Sequence, residues 1–163
     1  MKLIRTFTLI LVVFTLFFAL KSNGASYLDN ISVSPYAAVV HHNITDGQSY
    51  GAGVALGLGI NKFVSLELGA TSFSDNDWGN SAIDEASLLV KARLVHNANE
   101  TFSLYGLAGG DRQFEADDWA FGVGLGVELR LAKNISLFGD SRIRSWFNSR
   151  EDLITRAGIN LSF

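Results

Sequence analysis

The chain has 163 residues, of which 48% are hydrophobic and only 18% charged, with 16 glycines, a single proline and no cysteine. Such a length holds one domain, and the composition is too apolar for disorder and too glycine-rich for a helical bundle. The missing cysteine excludes disulfide frameworks, thiolate metal sites and cysteine nucleophiles, and a net charge of −3 offers nothing that attracts nucleic acid.

Residues 1–24 read as a secretory signal: Lys2 and Arg5 precede an apolar run that Lys21 closes. Small residues allow a cut after Gly24 or after Ser26, which leaves a mature domain over residues 27–163 with a net charge of about −6. A retained membrane anchor is the other reading, but an apolar stretch near 15 residues is short for a helical span. No later segment reaches the length of such a span, so a mature chain that enters a membrane does so as strands.

Eight alternating segments follow. The first runs from about Ile31 to His41, where Pro35 cannot donate a ladder hydrogen bond and is expected near an end or a bulge. From Tyr50 the chain alternates strictly, with Tyr50, Ala52, Val54, Leu56 and Leu58 on one face and Gly51, Gly53, Ala55, Gly57 and Gly59 on the other. Period two means strand. Leu66 and Leu68 oppose Glu67 and Gly69, then Leu88, Val90 and Leu94 oppose Leu89, Lys91 and Arg93. Phe102 to Ala108 is a weaker fifth segment. Residues 119–131 restore the pattern, with Phe121, Val123, Leu125, Val127 and Leu129 opposite Gly122, Gly124, Gly126, Glu128 and Arg130. In the seventh, Leu137 and Ile143 oppose Asp140, Arg142 and Arg144; in the eighth, Leu153, Ile159, Leu161 and Phe163 oppose Arg156, Gly158 and Asn160.

One face is oily throughout, while the other is minute or charged. Glycines facing water would weaken strands for no return. Inside a narrow barrel they make room for large side chains from other strands. The reading is an all-β, eight-stranded antiparallel up-and-down transmembrane barrel whose oily face meets lipid.

The connections alternate in length as such a barrel requires. Asn61-Lys62, His96 to Glu100 and Ala132 to Asn134 are short and would be periplasmic turns; His42 to Ser49, Phe73 to Glu85, Gly109 to Asp118 and Ser145 to Asp152 would be surface loops. Asp46, Asp75, Asp77, Asp84, Glu85, Asp111, Glu115, Asp117, Asp118, Glu151 and Asp152 fall in those loops, which predicts an acidic exposed end. Tyr50, Phe73, Trp119, Phe121, Trp146 and Phe147 near the loops, and Phe63, Phe102 and Phe163 near the turns, are the aromatics expected to form interfacial girdles.

These features resemble the small outer-membrane β-barrels of the OmpA-transmembrane and opacity-protein type, over the whole mature chain. The most specific part is the ending, Leu153 to Phe163, where Ile159, Leu161 and Phe163 look like the C-terminal signal read by the barrel-assembly machinery. Asn134 to Arg144 also resembles the penultimate strand of that family. The resemblance implies an outer-membrane location, contact with lipid and lipopolysaccharide, and a monomer, but transfers no ligand.

Charged residues on the small-residue face are the best candidates for function. Burying them costs several kcal/mol unless they are paired. The expected arrangement is a lumen network joining Glu67, Glu128 and Asp140 to Lys91, Arg93, Arg130, Arg142 and Arg156, which would plug the barrel. The alternative is a narrow pore, which an excess of five cations over three anions would bias towards anions.

Other chemistry is poorly supported. His41, His42 and His96 are the only histidines, and His41 and His42 with Asp46 make a weak metal site because adjacent strand residues point oppositely. Asp75 to Asn80 resembles the start of a calcium loop, but Gly79 stands at a ligand position and Ala86 where a bidentate Glu is needed. Gly122 to Glu128 lacks the GxGxxG spacing of a dinucleotide loop. The expectation is therefore a non-enzymatic surface protein without a cofactor, structural in the envelope or recognising an external ligand through acidic loops. A minor porin is the second reading, and a soluble lipocalin-like carrier the third.

Overall fold

The computed structural model describes residues 31–42, 47–61, 63–74, 83–96, 101–114, 116–147 and 149–163. The proposed signal and its cleavage site lie outside them. Eight strands follow in order: β1 (Ile31–His42), β2 (Gln48–Gly59), β3 (Val64–Phe73), β4 (Glu85–His96), β5 (Phe102–Gln113), β6 (Asp118–Ala132), β7 (Ile135–Trp146) and β8 (Glu151–Ser162). Each pairs antiparallel with its neighbour, and β1 pairs with β8 to close the barrel. No helix occurs among the described residues.

The two-residue period sorts the side chains as the sequence implies. Val123 is 53% exposed and Leu125 58%, while Arg142 and Arg144, beside Gly124 and Gly122 in the ladder, are almost wholly buried. Apolar residues therefore cover the outside and charges fill the inside, the reverse of a soluble sheet. The glycines on the inner face are required by close approach. A Cβ on Gly53 would lie 2.5 Å from Cζ of Tyr36, and one on Gly124 2.9 Å from Cγ of Arg142. β2 and β6 are thin where β1 and β7 carry bulk.

The seam between β1 and β8 explains the ending. Phe163 N donates to Ile31 O at 3.0 Å, and the Phe163 ring packs with Ile31 and Leu56 against Val33 and Val54 on the outer surface. The last residue thus fastens the first strand.

Pro35 departs from expectation. It is the fifth residue of β1, faces outward and stays in register with Val54 of β2. The β8 ladder absorbs the missing donor: its pairing skips Ser34 and Pro35, and Ser34 Oγ donates instead to Asn160 Oδ1 at 3.1 Å.

The two ends of the barrel differ. At the turn end, between β2 and β3, Asn61 Oδ1 accepts from the amides of Phe63 and Val64 at 2.8 and 2.9 Å, as in an Asx turn. Register shifts occur near this end, between Arg93 and Val95 and between Arg130 and Ala132. At the loop end the strands run further than the sequence reading placed them. β5 continues to Gln113, β6 begins at Asp118, β7 runs to Trp146 and β8 begins at Glu151, and Asp117 and Ser149 adopt positive φ.

Among the described residues this extension overturns the expectation that the loop carboxylates form an acidic surface; Asp46, Asp75, Asp77 and Glu115 lie outside them. Glu85, Asp111, Asp118, Glu151 and Asp152 belong to strands, and Glu85, Asp111 and Asp152 point into the lumen, where they are buried. Asp84 is buried as well, accepting from Phe73 N at 2.6 Å. Phe73 and Trp146 also turn inward, at 5% and 2% exposure, and so leave the proposed girdle; Tyr50, Trp119, Phe121 and Phe147 remain outside.

Candidate functional site

The lumen is built from inward residues of all eight strands, and its charges lie in layers along the axis. Nearest the turn end, Glu128 accepts from Ser136 Oγ and from Asn160 Nδ2, the latter at 3.1 Å, while Arg93 Nη2 lies 3.7 Å from its other oxygen. Arg130, one inward position further along β6, is exposed at the barrel mouth.

The second layer crosses the barrel. Arg156 from β8 forks onto Asp140 of β7, donating from Nε and Nη2 at 2.8 Å each, and its Nη1 reaches Glu67 of β3 at 2.8 Å. Lys91 from β4 pairs with the other Glu67 oxygen and lies 4.0 Å from Asp140. Its ammonium stands 5.0 Å from the centre of the Tyr105 ring and 5.1 Å from that of Phe138. Tyr105 Oη donates to Asp140 at 3.2 Å. Four charges and two rings thus occupy one section, and only Lys91 retains appreciable exposure.

Towards the loop end, Arg142 makes a fork of its own, to Asp111 at 2.9 Å through both terminal nitrogens. Beyond it, Arg144 donates to Asp152 from Nε and Nη2 at 2.6 and 3.0 Å and to Glu85 from Nη1 at 2.6 Å. Trp146 Nε1 donates to the same Asp152 at 2.8 Å. Arg144 has no exposed surface. A planar guanidinium with a carboxylate on each edge is the geometry in which a buried charge is most completely compensated.

The structure therefore places the residues singled out in the sequence as follows. Glu67, Lys91, Asp140 and Arg156 form one cluster; Glu128 and Arg93 form a second; Arg142 belongs to a different cluster with Asp111; and Arg130 stands at the mouth. Sequence reading missed Glu85, Asp111, Arg144 and Asp152 as one buried group, because it ended the strands early. Parity held the signal: Glu85 continues the inward series of Ser87, Leu89 and Lys91, Asp111 that of Tyr105, Leu107 and Gly109, and Asp152 that of Ile154 and Arg156. With these included, six carboxylates (Glu67, Glu85, Asp111, Glu128, Asp140 and Asp152) face six cations (Lys91, Arg93, Arg130, Arg142, Arg144 and Arg156), so the cation excess disappears.

Apolar residues fill the rest of the section. Tyr36, Ala38 and Val40 of β1, Ala55 of β2, Phe73 of β3, Phe138 of β7 and Ile154 of β8 form a buried cluster, and the Arg156 guanidinium lies 5.0 Å from the centre of the Tyr36 ring. Below them, at the turn end, lies a cavity of about 330 Å³ whose walls include Lys91, Arg93, Tyr105, Glu128, Arg130 and Phe138.

For the metal candidates, His42 Nε2 sits 2.9 Å from Ser49 Oγ, and Asp46, the side chain of His96 and the whole of Asp75 to Asn80 lie outside the described residues. No group of three or more metal-binding side chains occurs among the described residues. Gly122 to Glu128 is strand β6, not a phosphate loop.

No protein-family model and no curated protein matches the chain. Solved structures do. The N-terminal β-barrel domain of Pseudomonas aeruginosa OprF is 16% identical with a TM-score of 0.59, covering 81% of this chain and 97% of that one. Neisserial surface protein A is 13% identical with a TM-score of 0.58, covering 82% and 96%. Ail, the attachment invasion locus protein of Yersinia pestis, is 17% identical with a TM-score of 0.50, covering 82% and 97%. Identities this low speak for the fold alone, and the fold of this chain is that of the small eight-stranded outer-membrane β-barrels.

Proposed function

We propose that this protein is a non-enzymatic, monomeric component of a Gram-negative-type outer membrane, exported by its signal and inserted from the periplasm with the turn end inward. The observation that carries the reading is the pairing of an oily exterior with an ion-paired, filled interior. Leu68, Leu88, Leu125 and Ile143 are each more than half exposed. In water, a belt of this size on every side would be an aggregation surface; in hydrocarbon it costs nothing, and the closed ladder leaves no backbone edge unsatisfied. A lipocalin-like carrier would need the opposite arrangement.

The filled lumen supports a structural role in the envelope over a porin, since charge balance removes the basis for anion preference and the two arginine layers occupy the bore. The partners of this reading are lipid and lipopolysaccharide around the belt, the assembly machinery at Ile159, Leu161 and Phe163, and an external ligand at the loop end. Of the described loop-end carboxylates, Asp84, Glu85, Asp111 and Asp152 are buried, while Asp117 and Glu151 are exposed. That Ail is an attachment protein by its printed name supports recognition at this end without identifying what is bound.

Membrane fractionation with surface proteolysis tests location and orientation. The expected result is recovery with the outer membrane and cleavage confined to the loop-end connections. Recovery in the soluble periplasm would overturn the proposal. Purified protein in a planar bilayer is expected to show no steady conductance; regular single-channel steps would establish the porin reading instead.

A further inference from the structure

The geometry points to the turn-end cavity as a binding pocket for a small hydroxylated anion of the sugar-phosphate class. The balance of six and six inside the barrel hides a segregation along its axis. The loop-end clusters hold Glu85, Asp111 and Asp152 against Arg142 and Arg144, an excess of carboxylate. The cavity at the other end is walled by Lys91, Arg93, Arg130 and Lys133 against only Glu67 and Glu128. Among the described residues its lining therefore carries two net positive charges. Glu67 is paired with Lys91 inside the lining and with Arg156 behind it.

The walls suit a ligand of this kind in other respects. The volume of about 330 Å³ lies at the small end of the range for ligand pockets. Serines and asparagines make up much of the lining, and Ser136, Asn160 and Ser34 are already organised in a chain that holds Glu128. Their protons are given to Glu128 and Asn160, so the hydroxyls of Ser136 and Ser34 present acceptor lone pairs to the hydroxyls of a ligand without reorganising. The floor is the Lys91 ammonium between the Tyr105 and Phe138 rings, which closes the cavity towards the filled section. Lys91 and Arg93 are paired with Glu67 and Glu128, so the net positive charge of the lining resides on Arg130 and Lys133 at the mouth. A neutral sugar would gain only the hydroxyl contacts, and inorganic phosphate only the charge.

The test uses the folded protein in zwitterionic micelles, with glucose 6-phosphate, inorganic phosphate and glucose as separate probes in calorimetric titration. Saturable one-to-one binding of glucose 6-phosphate is expected, weaker by about tenfold or more for inorganic phosphate and absent for glucose. The double substitution Arg130→Gln with Lys133→Gln, both at the mouth and outside the buried clusters, is expected to weaken binding by about tenfold. Arg112→Gln, at the opposite end of the barrel, serves as control and should leave it unchanged. Heat-modifiable mobility in detergent gels establishes that each variant is folded. No saturable binding by the folded wild type, or equal losses in the Arg112 and the double variant, would overturn the assignment. A phosphate response matching that of glucose 6-phosphate would also do so, because it would show a simple anion sink in place of a site shaped for a hydroxylated ligand.

Discussion

Arg144 gives the sharpest test of the lumen architecture. Its guanidinium has no exposed surface and is shared by Asp152 and Glu85, with Asp111 3.8 Å away. Replacing it by Met keeps the length of the side chain but leaves Asp152 and Glu85 buried without their main counter-charge. Removing one partner of a buried pair costs about 3–5 kcal/mol, a change of roughly two to four powers of ten in the folding equilibrium. Asp152→Asn alone leaves Trp146 an acceptor but strands part of the arginine. The two changes together remove both charges of the Arg144–Asp152 pair, a replacement that is often tolerated, and leave Glu85 as the one carboxylate deprived of its partner. The double variant is therefore expected to be less destabilised than the sum of the singles by about 1–3 kcal/mol. Urea unfolding of the barrel in micelles, followed by tryptophan fluorescence, measures all three; Trp146 touches the site and reports on it directly. If Arg144→Met costs no more than the exposed Arg112→Gln, expected within about 1 kcal/mol of wild type, the interior is wet enough to solvate stray charges. Strict additivity would lead to the same conclusion, and the filled-lumen argument would fail.

Two further outcomes follow from the packing. Gly126→Ala is expected to cost about 1–3 kcal/mol, because its Cβ would stand 2.6 Å from the Tyr105 hydroxyl that donates to Asp140, whereas Gly139→Ala on the outer face meets only a carbonyl at 3.8 Å and should stay within about 0.5 kcal/mol of wild type; the same urea titration separates them. Deleting Phe163 removes the Ile31 hydrogen bond and the outer-surface packing at the β1–β8 seam, and should lower the yield of heat-modifiable protein in cells more than Asp117→Ala does. Asp117 serves as the control because it is exposed and its partner Arg112 lies at the surface; equal yields from the two variants would count against a special role for the ending.

The parts of this fold that were legible in the sequence share one physical basis. A closed sheet between two solvents writes its inside and outside into alternate residues, and nothing in a strand blurs that record when one face is as small as Gly51 to Gly59 or Gly122 to Gly126. The segments at Tyr50 and Trp119 were therefore readable to within a residue or two. What was illegible lay where polarity stopped marking position. Glu85, Asp111 and Asp152 have the character of loop residues, and hydropathy assigned them to the surface; in a barrel whose interior is itself polar, hydrophilicity no longer distinguishes a loop from a lumen. Trp146 failed in the complementary sense, since an aromatic at a strand end fits a girdle and a lumen equally well, and only its even-numbered place in the series from Ser136 to Arg144 decides.

The same loss of contrast explains why the arginines come in forks. An apolar core selects its own partners by exclusion from water, but the inner face of this barrel cannot rely on that, because its outer face is the more apolar of the two. Register must be set by pairs whose geometry admits one solution. Arg156 on Asp140 and Arg144 on Asp152 each join residues opposite one another in the β7–β8 ladder. Slipping either strand by one residue would turn its own charges towards the oily side, where no counter-ion waits, and leave those of the other strand unpaired inside. A shift by two would restore the faces but separate each arginine from its carboxylate. The forks therefore penalise both errors, whereas alternation alone penalises only the first. The β6 glycines supply no comparable check, and the β6–β7 ladder carries a register irregularity between Arg130 and Ala132 at the turn end, as the β4–β5 ladder does between Arg93 and Val95.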